Sequence, residues 1–331
     1  MTNEPGAATG AGPVVVGVDG SPSALDAVAE AVREATMRRR ALRIVHAYVW
    51  PLLGSALDPL PTGGVPAGGI GAAGAATTAE GGLRQEADQF VAEAVTHARQ
   101  LAPDVAVTGQ VITGPPAAVL VEVAHNACLV VLGDRGLGGF TGLLVGSIAI
   151  RLAAHAPCPV LVVRGAARPD GPVAVGVERR EPLPGKPDGN GHTDVALGMA
   201  FEEAALRGVP LRAVSAWRKG AAGDPGSPAP GESGDAREWA LAAALAPWRE
   251  RYPQVAVEAA MVQGRAGGAL VDASEHAQLL VVGARGRGGF KGLLLGSISQ
   301  AVLHHAACPV LVVRRAKDRE GRPAQAEPAA P

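Results

Sequence analysis

Short runs of apolar residues alternate along the chain with longer Ala-rich segments in which apolar positions recur at helical spacing. The short runs have the length and the Val, Leu and Ile content of buried strands, whereas the longer segments are typical of helices. In the first half the predicted strands are 13–18, 42–48, 104–111, 128–132 and 159–164. The predicted helices there are 23–40, 83–101, 116–126 and 146–155. This alternation predicts a parallel sheet with right-handed crossovers.

The second half of the chain repeats the first. Residues 129–164 and 279–314 align without a gap, and 23 of their 36 positions are identical. Further strands are predicted near 172–177, 210–216, 254–262, 279–282 and 309–314. A repeat of this length is a duplicated domain rather than a solenoid unit. The predicted fold class is therefore α/β, with two tandem, doubly wound, five-stranded parallel-sheet domains at 13–166 and 171–315.

Several segments fall outside the repeating pattern. Residues 51–82 are rich in Gly, Ala and Pro with very few charges, and such a segment buries too little side chain to offset its backbone entropy. We expect a mobile loop there, and the same for 219–234. The second copy carries an insertion at 180–192, directly after its first strand. The termini, 1–12 and 316–331, are predicted to be disordered tails.

Composition restricts the partners and the compartment. Hydrophobic residues make up 47% of the chain and aromatic residues only 3%, which suits parallel strands covered by Ala-rich helices. Lys and Arg number 30 against 31 for Asp and Glu, which argues against nucleic acid as a partner. Three cysteines are too few for a disulfide framework or a zinc site. With no long apolar stretch and no signal pattern, we expect a cytoplasmic protein without a membrane span.

A Gly-rich segment between the fourth strand and the last helix recurs in both copies. Its pattern is Gly-x2-Gly-x9-Gly-Ser, at 133–147 and again at 283–297. Glycines beyond the end of a strand allow close approach to a ligand and positive φ, and successive free N–H groups form an anion site. Gly-Ser at the start of a helix adds a hydroxyl and the positive end of the helix dipole. The pattern predicts a phosphate site in the crevice beyond the strand ends.

The alternative is a plain Gly-rich connection that caps a helix, and a single Gly-x-x-Gly would favour it. Two copies with identical spacing favour a ligand-binding loop instead. The segment is not a Walker A loop, because Gly-Lys-Ser/Thr is missing, nor a dinucleotide fingerprint, which follows the first strand.

The glycine pattern, flanked by LVVLG and PCPVLVVR, and the opening VVVGVDGSPSA at 14–24 together resemble the ATP-binding type of UspA-like universal stress proteins. The resemblance covers most of 13–164 and 172–314. It implies an adenine-nucleotide alpha-hydrolase-like fold with strand order 3-2-1-4-5, ATP in the crevice, and pairing of domains through their fifth strands. We also expect a homodimer.

By the same resemblance, Asp19 would bind the ribose, the backbone near Ala47 would meet the adenine, and the glycine loop would hold the phosphates. The nucleotide-binding residues expected in the first copy are Gly17, Asp19, Ala47, Gly133, Arg135, Gly136, Gly138, Gly139, Gly146, Ser147 and Ile148. Those expected in the second copy are Gly176, Ala216, Gly283, Arg285, Gly286, Gly288, Gly289, Gly296, Ser297 and Ile298.

The second copy departs from the family pattern in two places. Glu178 replaces Asp19 and is followed by the insertion, so the nucleoside turn is weaker there. Its glycine loop is more cationic, with Arg287 and Lys291 added, and Ala284 stands where the first copy has Asp134. Because losing a hydrogen bond to a charged group costs about 1.5–3 kcal/mol, and an exposed charge contributes roughly 0–1 kcal/mol, the first copy is favoured as the surer site.

Other polar residues have simpler interpretations. Cys158 and Cys308 precede equivalent buried strands, where packing is favoured over redox chemistry. His155 and His305 are expected to cap helix carbonyls. Asp134 could ligate Mg²⁺ bound to ATP, although a solvated loop carboxylate is the simpler interpretation.

Three functions compete. The first is an ATP-binding regulatory, stress-response protein without efficient turnover. The second is an enzyme, a slow ATPase or a phosphoryl or nucleotidyl transferase, against which stands the lack of a recurring catalytic constellation. The third is a nucleotide-free interaction module, which the intact glycine spacing argues against. We predict no catalytic and no protein-held metal residues.

Overall fold

The computed structural model describes residues 12–49, 72–137, 145–166, 168–178, 191–218, 234–285 and 295–314. The strands are β1 (Val14–Gly17), β2 (Leu42–Tyr48), β3 (Val107–Thr113), β4 (Leu129–Gly133), β5 (Val160–Val163), β6 (Val173–Gly176), β7 (Leu211–Trp217), β8 (Val257–Gln263), β9 (Leu279–Gly283) and β10 (Val310–Val313). The helices are α1 (Pro22–Arg38), α2 (Ala72–Leu101), α3 (Pro116–Ala124), α4 (Ser147–His155), α5 (Gly191–Arg207), α6 (Gly234–Arg251), α7 (Ala266–Ser274) and α8 (Ser297–His305).

The strands form one ten-stranded sheet with the order β3-β2-β1-β4-β5-β10-β9-β6-β7-β8. Within each half all neighbours are parallel and the order is 3-2-1-4-5, which confirms the predicted fold class. The strand order reverses between β1 and β4, and again between β6 and β9. A crevice therefore opens beyond the carboxyl ends of these strands, where open α/β sheets bind ligands.

The two halves join through their fifth strands, as predicted. β5 and β10 run antiparallel, with Leu161 opposite Leu311 at the centre of the pair. Arg164, just after β5, donates to the carbonyls of Val302 and Leu303 at the end of α8, and Arg314 donates in the same way to Ala154 at the end of α4. The pairing covers two apolar edges that would otherwise invite aggregation.

Helices cover both faces of the sheet, and the core has two layers. Helices α1, α2, α5 and α6 bury one face, and α3, α4, α7 and α8 bury the other. Alternate residues of the central strands point to opposite faces, so that Val14 and Val16 belong to the first layer and Val15 to the second.

A cluster of four charged side chains crosses the boundary between the halves. Arg38 of α1 pairs with Glu34 and Glu203, and Arg207 of α5 pairs with the same two carboxylates. The arginines are 6% and 4% exposed and the glutamates 1% each. Burial, followed by the nearby Glu203 carboxylate, raises the pKa of Glu34 from its ordinary 4.5 to about 7.

Several predicted element boundaries were wrong. Residues 72–82, expected in a mobile loop, belong to α2, while 51–71 lie outside the described residues. The Ala content of the segment favours helix, and each residue added to a packed helix gains a hydrogen bond. Likewise α5 begins within the predicted insertion and α6 at Gly234. The predicted disordered tails lie almost wholly outside the described part.

The third strand of each half begins later than its sequence predicts. β3 starts at Val107 rather than 104, and β8 at Val257 rather than 254. The preceding helices close in a turn, in which Val105 donates to Ala102 and Val255 donates to Tyr252. Apolar content alone did not distinguish these turn residues from strand residues.

Candidate functional site

The turn after β1 is held by the Asp19 side chain. Its Oδ1 accepts from the backbone N–H of Ser21 at 3.0 Å, and its Oδ2 accepts from the backbone N–H of Leu137 at 2.9 Å. Ser21 in turn caps α1, its Oγ accepting from the N–H of Ala24 at 3.2 Å. The half-buried carboxylate therefore joins the first turn to the glycine loop, and each of its oxygens retains a lone pair for a ligand hydroxyl.

Aromatic side chains of α2 and β2 pack against this turn. Gly20 has a φ of 83°, and a Cβ there would lie 2.5 Å from the ring of Phe90 in α2. Phe90 contacts the ring of His46, with centroids 5.6 Å apart, and His46 Nδ1 lies 2.8 Å from the Val18 carbonyl oxygen. Only glycine fits both the left-handed φ and the close approach.

The start of the glycine loop packs directly on α1. A Cβ at Gly133 would lie 2.2 Å from Ser23 Oγ, and one at Gly136 would lie 2.3 Å from Asp19 Oδ2. Ser23 Oγ donates to Asp134 Oδ1 at 3.0 Å, which ties the loop to the first turn of α1. Gly138 and Gly139 lie outside the described residues.

The end of the loop returns to its beginning. The N–H of Gly146 donates to the carbonyl of Asp134 at 2.6 Å, and the N–H of Gly296 to that of Ala284 at 2.8 Å. Ser147 and Ser297 each open a helix whose N-terminus has no side-chain cap. Since no side chain of the described residues caps them, the first backbone N–H groups of these helices can bind an anion.

One expectation about the glycines was wrong. Gly133, Gly136 and Gly146 all have ordinary negative or extended φ; for Gly146 the value is −66°. What requires glycine at the first two is close approach to Ser23 and Asp19. At Gly146 a Cβ would stand 3.4 Å from the nearest protein atom, the Asp134 carbonyl oxygen, so the protein itself leaves room for it.

The remaining expected residues lie at the strand ends around the crevice. Ala47 and Ala216 are half-buried on β2 and β7, opposite Ile112 and Val262. Gly17 and Gly176 end β1 and β6, where a Cβ would meet leucine side chains of β4 and α3 at Gly17 and of α7 at Gly176. Those two glycines thus also serve packing.

The second copy is built differently at the same place. Ala284 leaves no carboxylate at the loop, and Ser299 Oγ instead donates to the carbonyl of Gly283 at 2.7 Å. Arg285 is half-buried, and its Nε has no hydrogen-bond partner among the described residues. Gly286, Gly288 and Gly289 lie outside the described residues. Ile298 packs against the core, whereas Ile148 is 36% exposed.

Sequence reasoning missed Ser23, Gly20 and the His46–Phe90 pair. The difference between Asp134 and Ala284 was a usable signal for Ser23, because a loop carboxylate present in one copy only invites a search for its partner. No local pattern points to Phe90, which reaches the turn from a helix 70 residues later in the chain.

Within the described residues no cluster of three or more His, Cys, Asp or Glu side chains could hold a metal ion. Away from the site, burial raises the pKa of the Cys308 thiol to about 12, which fits packing rather than redox chemistry. His155 Nδ1 lies 2.8 Å from the Arg151 carbonyl oxygen at the end of α4, as expected of a helix cap.

The chain is similar to known proteins over most of its length. The model of the "Universal stress protein family" matches residues 11–164 and 188–314. Two relatives from Mycobacterium tuberculosis are universal stress protein Rv2005c, 37% identical over 91% of this chain and 97% of its own, and universal stress protein Rv2623, 36% identical over 91% and 96%. The crystal structure of a universal stress protein from Archaeoglobus fulgidus has the same fold, with a TM-score of 0.62, 17% identity, and coverage of 93% of this chain and 97% of that one. None of the described helices is long and apolar enough to cross a membrane.

Proposed function

The chain belongs to the universal stress protein family, and we propose that it is an ATP-binding regulatory protein of the stress response, without efficient turnover. The observation that carries the proposal is the junction of three backbone elements in the first copy. The β1 turn and the glycine loop meet through Asp19 and Leu137, and the N-terminus of α4 lies beside them. This arrangement offers a carboxylate for a ribose and N–H groups for phosphates.

The roles follow from the chemistry of each group. Asp19 accepts hydroxyl hydrogen bonds of the ribose, and the backbone near Ala47 selects adenine over guanine. The loop from Gly133 to Gly146 and the first turn of α4 bind the phosphates. Asp134 positions the loop, because its two oxygens face Ser23 and Arg135, at 3.0 and 3.6 Å. Any Mg²⁺ would be held mainly by the phosphates themselves.

The first copy is the stronger site of the two. It has the shorter Asp19 at the first turn and the Ser23–Asp134 bond, which the second copy lacks. We further propose that the protein is cytoplasmic and forms a homodimer. The bound nucleotide would alter the contacts that this protein makes with its partners.

The test is direct. Mass spectrometry of nucleotide released from the purified, denatured protein should find ATP, and calorimetry should show ATP bound in preference to GTP. Gly136→Val should weaken ATP binding about tenfold or more, since its Cβ displaces the Asp19 carboxylate and removes charged hydrogen bonds.

A matched control is Gly82→Val, where an added Cβ meets nothing within 4 Å. It should leave ATP affinity unchanged. If calorimetry of the folded protein shows no binding heat with ATP at millimolar concentration, the proposal is overturned. If Gly136→Val and Gly82→Val bind ATP with equal affinity, the glycine loop is only a connection to α4.

A further inference from the structure

A cavity opens beside the start of the glycine loop, between α1 and the end of β5. Its volume is about 650 Å³, within the usual range for small-molecule sites. One face of α1 forms a wall, Asp134 and Arg135 form another, and Val163 to Gly165 close the floor. We call it the α1–β5 cleft.

Three guanidinium groups and three carboxylates line this cleft, and one of the carboxylates, Glu30, is paired with Arg33. Arg33 and Arg135 have side chains 39% and 68% exposed, so their charged ends can reach a ligand. Arg164 lies deeper, and its Nε is buried without a hydrogen-bond partner among the described residues. Asp26 and Asp134 add carboxylates.

Arg33 has donors to spare. Its Nη2 donates to Glu30 Oε2, and a guanidinium carries five N–H donors in all. It can therefore keep that bond and also bind an anion. Ser23 contributes a hydroxyl to the same wall.

The charged residues that α1 contributes to the cleft differ between the copies, whereas Arg135 and Arg164 correspond to Arg285 and Arg314. The helices α1 and α5 correspond residue by residue through their 17 positions. On that basis Asp26 corresponds to Val195, Glu30 to Met199 and Arg33 to Glu202, while Asp134 corresponds to Ala284. Met199 is 1% exposed and packs in the core, so the fold itself does not require charge on this helix face.

We propose that the α1–β5 cleft binds the phosphate ester of a polyhydroxy small molecule. Arg33 and Arg135 bind the phosphate, because planar guanidinium groups match phosphate oxygens in pairs. Asp26 accepts hydrogen bonds from the sugar hydroxyls.

Asp134 and Arg135 belong both to the cleft and to the glycine loop, so the cleft adjoins the proposed ATP site. The phosphate ester can therefore be a separate molecule or part of a larger nucleotide. It is either a free sugar phosphate or the distal half of a dinucleotide whose adenylate half occupies the ATP site. The second source rests on the proposed function, whereas the first does not.

The experiment uses the full chain and three probes, namely ribose 5-phosphate, ATP and diadenosine tetraphosphate, each measured by calorimetry. The test variant is Arg33→Ala, and Arg99→Ala, an exposed arginine of α2, is the matched control. Asp26→Asn tests hydroxyl recognition, and thermal melting checks that every variant is folded.

For a free ester, ribose 5-phosphate binds in the presence of saturating ATP, and Arg33→Ala weakens it about tenfold or more. Asp26→Asn weakens it as well, while ATP affinity is unchanged. For a dinucleotide, diadenosine tetraphosphate binds at least tenfold tighter than ATP, and Arg33→Ala removes that difference.

The proposal is overturned if Arg33→Ala leaves the affinities for all three probes within twofold, or if Arg99→Ala weakens them equally. It is also overturned if neither ribose 5-phosphate nor the additional half of the dinucleotide contributes to binding. ATP binding by the wild-type chain is measured in a separate titration. If that titration shows no ATP binding, the proposed function is refuted, whatever the result for the cleft.

Discussion

Removing one carboxylate from the buried cluster between α1 and α5 should be strongly destabilising. Glu203 accepts from both Arg38 and Arg207 and is 1% exposed, so Glu203→Ala leaves two buried guanidinium groups to share Glu34 and the more distant Glu30. Removing one partner of a buried ion pair costs about 3–5 kcal/mol. That is a large fraction of a domain stability of roughly 5–15 kcal/mol.

Urea unfolding followed by circular dichroism measures the effect. Intrinsic fluorescence is a second probe, because one of the four tryptophans, Trp248, stacks on Phe201 of α5 with ring centroids 6.3 Å apart. Arg84→Ala is the control, since Arg84 and Asp88 form an exposed pair at 3.4 Å that contributes about 0–1 kcal/mol.

A second variant separates charge imbalance from packing. Replacing Glu34, Arg38, Glu203 and Arg207 together by leucine should cost far less than Glu203→Ala, because no unpaired charge remains. If Glu203→Ala lies within 1 kcal/mol of the wild type, water or rearrangement reaches the cluster, and the burial argument fails.

Two further predictions concern the same boundary between the halves. Burial raises the folded-state pKa of Glu34 to about 7 from its ordinary 4.5, so its contribution to the free energy of unfolding should fall as pH rises from 4.5 to 7. Glu34→Gln should remove this part of the pH dependence of the urea midpoint between pH 5 and 8. An unchanged slope of the midpoint against pH would contradict the prediction. A fragment of residues 1–168 expressed alone should dimerise or aggregate through the uncovered β5 strand. Val162 is 0% exposed and lies opposite Val310 in the full chain. The Val162→Lys variant of the fragment should therefore stay monomeric in analytical sedimentation. A monomeric wild-type fragment would show that β5 does not drive association.

The sequence by itself determined the architecture. Apolar runs of strand length alternating with helical segments predicted parallel strands, and the repeat of 129–164 at 279–314 predicted two such domains. With the strand order that the family resemblance implied, the apolar fifth strands also predicted the joining edge. These features were readable because strand and helix periods, and the cost of an open apolar edge, are local properties of the chain.

Only the tertiary structure decided how the site is held. Glycine spacing located the loop, but the reason for Gly133 and Gly136 is contact with Ser23 and Asp19, more than 100 residues away. The start of α2 within an expected loop depended on helix propagation from a packed segment. The Arg38–Glu203 pair and the α1–β5 cleft arise from docking one half against the other and α1 against β5. Side-chain contacts between distant segments leave no periodic trace in the sequence, because they depend on where the folded backbone brings each residue.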